Sequence, residues 1–298
     1  MDPLLNALLL SWDWRVEVIV ILLLTGSVYS RGWWRLRRRG TPSHRLATGW
    51  RLAAYLGGLA ALGLALISPI DVLGGQLFLM HMIQHLLLVM IAPPLLLIAN
   101  PLPFFMWGLS VRARRALGQL FNSGSAFRRA LRTLTAPGMV WMLFVAFFLG
   151  WHDPNAYNAA LRSDLIHDLE HVTFFGSSML YWWQVTGAGP RLRSLSHGVR
   201  IAFLLLTVPV NAAAGIAIAF ASQPIYTYYT TVPRLLGMSV MQDQMIGGVI
   251  MWIPGSMMYL LAALILISGL MRADDNRHSL SEPVWATDEG MVAPGWET

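Results

Sequence analysis

The stretch FLMHMIQHLLLVMIAPPLLLIA, residues 78–99, decides how this chain folds. It carries no formal charge, and its polar groups, His81, Gln84 and His85, gather near one end. A helix rises 1.5 Å per residue, so about 20 apolar residues cross a bilayer core of roughly 30 Å. Six further runs have the same character: 15–32, 50–67, 136–151, 168–186, 200–221 and 245–270. The expected class is all-α: a polytopic membrane protein with seven transmembrane helices. These form one domain over 1–271, followed by a polar, loosely ordered tail at 272–298.

Composition agrees. Only 12% of the 298 residues are charged, whereas soluble domains carry about 25%. The net charge is +6, and all 21 basic residues are arginine. They cluster between apolar runs, which fits helix flanks at a lipid surface and argues against nucleic acid as a partner. With no cysteine, disulfides, iron–sulfur clusters and thiolate metal sites are excluded. Residues 1–14 hold Asp2 and Asp13 and no basic residue, so they read as mature sequence rather than a cleaved signal.

The arginines orient the stack. Arg31, Arg35, Arg37, Arg38, Arg39, Arg45 and Arg51 lie in the first connection, and Arg112, Arg114, Arg115, Arg128, Arg129 and Arg132 in the third. Arg191, Arg193 and Arg200 lie in the fifth, and Arg272 and Arg277 in the tail. With seven spans all of these share one side, leaving Arg15, Arg162 and Arg234 on the other. The positive-inside rule makes the crowded side cytoplasmic, with the N-terminus outside and the C-terminus inside. Trp33, Trp34, Trp50, Trp107, Trp151, Trp182 and Trp183 read as interfacial anchors.

That topology sorts the eight histidines. His44, His197 and His278 fall on the arginine side, while His81, His85, His152, His167 and His171 gather at the outer face. His81/His85 and His167/His171 have i,i+4 spacing, which puts both rings on one helix face within reach of one ion. Imidazole suits copper and zinc. Met80, Met82, Met238, Met241 and Met245 are thioethers on the same side, and Asp153, Asp168, Glu170 and Asp243 offer carboxylates as ligands or as partners that fix tautomers. Methionine more often fills helix gaps, and a lone interfacial histidine more often meets a headgroup. Two matched pairs on different spans carry the stronger signal, because polar groups inside a membrane are costly. Prolines 93, 94, 209 and 254, with Asn211, read mainly as bends.

Three blocks carry a resemblance: HMIQHLLLVMIAPPLLLIANP (81–101), WHDPNAYNAAL (151–161) with HDLEHVTFFGSSMLYWW (167–183), and DQMIGGVIMWIPG (243–255). In this order they resemble the CtaG-type cytochrome c oxidase assembly factors, a seven-helix group. The resemblance implies a multi-pass protein of the bacterial inner membrane that is no enzyme and that helps mature an oxidase by handling copper on the outer face. It marks His81, His85, His152, His167, His171 and Asp243 as metal positions. It implies copper-containing oxidase subunits or a copper carrier as partners, besides membrane lipid.

Other readings stay open from the residues. A copper permease or storage protein is close, although the apolar inner halves of 78–99 and 168–186 offer no polar path across. A b-type haem protein would use one histidine from each pair. A membrane zinc hydrolase would use His167 and His171 with Glu170, which fit the pattern H-x-x-E-H. The topology is checked by reporter fusions. One placed after residue 271 should be active only in the cytoplasm and one within 222–240 only outside; swapped activities would invert the assignment.

Overall fold

The computed structural model describes residue 6 and residues 10–39, 46–120, 124–188 and 195–279, with 120 and 273–279 described by backbone alone. Among them all regular structure is helical. Helices α1 (Val16–Arg37) and α2 (Gly49–Leu66) are followed by the short α3 (Pro69–Gly74). Then come α4 (Phe78–Leu86), a π-helical turn (Leu87–Ile91), α5 (Ala92–Ile98) and α6 (Pro101–Gly108). Two basic helices, α7 (Val111–Leu120) and α8 (Ala126–Leu134), precede α9 (Pro137–Trp151) and the short α10 (Pro154–Ala160). The chain ends with α11 (Asp164–Thr186), α12 (His197–Ala219), a 3-10 turn (Thr227–Thr230) and α13 (Val240–Ser279).

Among the described residues, five stretches are long and apolar enough to cross a membrane: α1, α2, Phe78–Ile98, α12 and Val240–Arg272. A sixth arises if α8 and α9, bent by 67°, act as one. With 15 residues, α9 reaches only about 22 Å by itself. The remaining helix of the expected seven, α11, has the length at 23 residues. It falls short in apolarity, because Asp164, His167, Asp168, Glu170 and His171 crowd its first two turns. Its polarity is turned inside out: Leu165, Leu169 and Val172 are exposed, whereas Glu170 and His171 are buried. Residues 111–120 and 126–134, expected as parts of a plain connection, instead form α7 and α8, where arginines recur beside leucine and phenylalanine at helical spacing. Helix α13 runs past the expected boundary at 271 to Ser279; residues 280–298, the rest of the expected tail, lie outside the described residues, as do His44 and Arg45.

The π turn has an identifiable cause. Pro93 lacks the N–H that would bond the Val89 carbonyl. That carbonyl accepts instead from Ser178 Oγ at 2.6 Å and Trp182 Nε1 at 2.8 Å, which ties α11 to the turn.

Glycines set the closest helix crossings. A Cβ at Gly32 of α1 would collide with the Phe104 carbonyl of α6, and one at Gly108 with the Val28 carbonyl of α1. Gly215 and Gly248 meet between α12 and α13, where a Cβ at Gly215 would lie 2.9 Å from the Gly248 carbonyl oxygen. Without a hydrophobic drive between helices in lipid, small residues supply such packing. Gly32→Ala or Gly248→Ala should therefore destabilise the bundle by about 1–3 kcal/mol, the usual cost of overpacking. Gly138→Ala, where a Cβ meets open space, should be nearly neutral. Detergent thermal melts of the three variants measure this, and equal melts would remove the close-packed crossings as a source of stability.

Candidate metal centre

One end of the bundle is where α4 and α11 begin and α9 stops, so its histidines meet there. From α4, His81 and His85 turn their rings together, with Nε2 atoms 2.8 Å apart. From α11, His167 and His171 lie 4.1 Å apart between ring centroids, with their planes tilted by 55°. The pairs face each other: His81 lies 5.3 Å from His167 and 6.4 Å from His171, and His85 lies 5.9 Å from His171. Glu170, wholly buried, places Oε2 3.7 Å from His81 Nε2 and Oε1 3.5 Å from His85 Nε2. Among the described residues, two sets of three donors have all their ligand atoms within 4.8 Å of one another: His81, His167 and His171, and His81, His85 and Glu170.

Buried polar atoms are nearly always bonded, and exceptions call for an explanation. Here His85 Nδ1, His167 Nε2, both nitrogens of His171 and both oxygens of Glu170 are buried without a hydrogen bond. An array of converging lone pairs with a carboxylate fits a cation and suits little else. The donor set of imidazoles and one carboxylate fits copper or zinc. The rings pack directly against one another, which leaves no slot for a porphyrin between them.

His152 adjoins this group without entering either set. It caps the C-terminal end of α9, its Nδ1 donates to the Phe148 carbonyl at 2.6 Å, and its ring lies 6.3 Å from His85. Asp243, expected among the metal positions, lies outside both sets. Its carboxylate accepts the backbone N–H groups of Phe78 and Leu79, both at 3.0 Å, and Arg234 Nη2 at 3.0 Å. Both oxygens are spoken for, so Asp243 caps α4 from another helix rather than facing the histidines. Glu170, not Asp243, is the carboxylate inside the cluster. The helical register that puts Glu170 between His167 and His171 was the available signal.

An aromatic roof covers the cluster. Tyr157 lies 4.9 Å from the His81 ring and 4.1 Å from Tyr226, which stacks on Phe78 at 4.9 Å. Tyr229 donates to the Gly74 carbonyl at 2.8 Å, and Tyr226 to the His152 carbonyl at 3.1 Å. Sequence reading missed this roof, because its members come from three separated segments.

Next to His167 lies a cavity of 430 Å³ lined by Asp13, Glu17, Asp71, Asp164, Asp168 and His167, among others. Arg15 clamps Asp168 with two bonds, Nη1 to Oδ1 at 2.6 Å and Nη2 to Oδ2 at 2.7 Å, and this bidentate pair holds the guanidinium proton more tightly than usual. Burial pushes the Asp71 carboxyl up to about 6, against a hydrogen bond from the Gln84 amide. His167 thus links the buried group to an acidic vestibule that attracts cations.

With this geometry in place, the relatives can be weighed. The chain is 28% identical to uncharacterized proteins of Mycobacterium bovis and of Mycobacterium tuberculosis, over 93% of its own length and 42% of theirs. An uncharacterized protein of Mycobacterium leprae is 26% identical over 93% of this chain and 43% of the relative. The chain therefore spans less than half the length of these relatives. No solved structure matches it. The family described as cytochrome c oxidase caa3 assembly factor matches residues 27–273, a stretch that holds every histidine of the centre as well as Asp243 and Arg234. By that match, the chain belongs to the cytochrome c oxidase caa3 assembly factor family.

Proposed function

We propose that this protein is an oxidase assembly factor, not an enzyme, that holds copper as cargo in its histidine cluster and releases it to a copper-containing terminal oxidase or a copper carrier. In this reading it is a multi-pass protein of the bacterial inner membrane, with seven spans counting α8–α9 and α11, and with the cluster on the outer face. The observation that carries the reading is the buried convergence of His81, His85, His167, His171 and Glu170 with their lone pairs unpartnered. The arginine–tryptophan contacts at the opposite end, such as Arg38 over Trp34 at 4.1 Å and Arg39 over Trp107 at 4.2 Å, support the cytoplasmic assignment of that end.

The chemistry follows from the residues. Neutral imidazoles bind the ion, and Glu170 offsets its charge in a site that apolar helices keep dry. The acidic vestibule at His167 raises the local cation concentration and gives a route to the aqueous phase. A continuous polar path across the bilayer is not supported: α5 is apolar throughout, and the buried Ser177, Ser178 and Gln184 of α11 are each committed to a backbone carbonyl. This favours delivery from the outer face over permeation.

Two measurements test the reading. Purified protein loaded with copper or zinc should lose metal affinity by roughly 10–100-fold or more in the His85→Ala/His171→Ala variant, since even outer partners of a metal site matter that much. Equal metal content at equal folded protein would refute the site. In cells lacking the protein, oxidase polypeptide should accumulate without its copper, and the same double variant should fail to restore activity at equal membrane abundance. Full rescue by a variant shown to be metal-free would end the copper-handling reading.

A further inference from the structure

A second space lies deeper in the bundle, directly beneath the cluster. It is a cavity of 40 Å³ whose wall includes His85, His152, Met82, Met90, Met251 and Asn211. Packed interiors hold few voids larger than a water molecule, and methionine usually serves to close them. Here three buried methionines line a space that stays open, and two imidazoles share its wall.

The nitrogens are suitably disposed. His152 commits Nδ1 to the Phe148 carbonyl, so its lone pair is on Nε2. His85 directs Nε2 toward His81 and Glu170, while its Nδ1 is buried with no partner. The ring of His85 therefore belongs to both the upper group and the lower cavity. The backbone around the cavity is specialised too. Met90 sits in the π turn, a feature frequent at functional sites, and Asn211 pins α12 to α13 by donating to the Met251 carbonyl at 2.9 Å and to Ser256 Oγ at 3.0 Å.

We propose that this cavity is a second metal subsite, specific for a soft monovalent ion, Cu(I), held by His85 and His152 together with methionine thioethers. Thioethers favour Cu(I), whereas the upper group of imidazoles and a carboxylate also accepts divalent ions. Because His85 serves both sites, an ion moves between them by exchange of ligands at a constant oxidation state. The subsite rests on the reading of the upper cluster as a metal centre, and it adds selectivity that the upper cluster lacks.

The test uses the full chain in detergent, loaded anaerobically with Cu(I), with Ag(I) as a redox-inert substitute, and separately with Zn(II). X-ray absorption at the copper edge should show sulfur neighbours in the wild type. The Met82→Leu/Met90→Leu/Met251→Leu variant, nearly isosteric and checked for intact helicity, should lose that sulfur signal and about one bound Cu(I) or Ag(I) per chain. Its Zn(II) content should stay at the wild-type level. His152→Ala should show the same split. Zinc retained in the wild type with no sulfur around copper, or Cu(I) content unaffected by the triple variant, would overturn the subsite alone. Failure of the wild type to bind any of the three ions would overturn both the subsite and the upper centre.

Discussion

The carboxylate of Asp243 joins the two halves of this bundle. It sits at the start of α13 yet caps α4, accepting two backbone N–H groups that no preceding turn of that helix can satisfy. In a membrane an unsatisfied amide has no water to turn to, so the cap is obligatory rather than helpful. Arg234 balances the charge on the other side. Two helical positions after the capped amides comes His81, and one turn later His85. The register of both rings against α11 therefore depends on a bond made from the far end of the sequence. The segment just before Asp243, 220–239, supplies Tyr226 and Tyr229 of the roof, so closing the site and aligning its histidines are linked.

Helix α11 shows what such a site demands of its surroundings. A buried carboxylate among imidazoles costs several kcal/mol if left unpaired. The helix accepts that cost by facing lipid with Leu165, Leu169 and Val172 and keeping Glu170 and His171 inward. Polar groups placed this way inside a membrane bundle mark function, because packing alone would select apolar residues there. The glycine crossings at α1–α6 and α12–α13 stiffen the frame, so the polar end is held by rigid neighbours.

The two ends of the molecule differ in chemistry as well as in charge. At one end arginines stack on tryptophans, which suits anchoring to a headgroup layer. At the other, an acidic vestibule leads to His167, then to the imidazole group, then to a cavity rich in methionine. On the proposed metal-handling reading, these form a graded series from hard oxygen donors to soft sulfur donors along the path an ion would take inward from solvent.

Much of this was legible along the chain. The apolar runs placed α2, the Phe78–Ile98 stretch, α9 and α12 closely, since the length needed to cross a bilayer is a property of contiguous sequence, whereas α13 runs well past its expected end and α7 and α8 were not foreseen. Pairing within each helix was also legible, because i,i+4 spacing alone puts His81 beside His85 and His167 beside His171. Sequence reading took 168–186 as an apolar span although α11 is polar in its first two turns, and it could neither foresee that Asp243 caps α4 nor rank Glu170 above the other carboxylates. Those outcomes depend on which helix faces which, and on the direction of a side chain whose partners lie 165 positions away. The tyrosine roof and the cavity beneath His85 belong to the same class. Local periodicity says which residues share a face of one helix; only tertiary packing decides what that face meets.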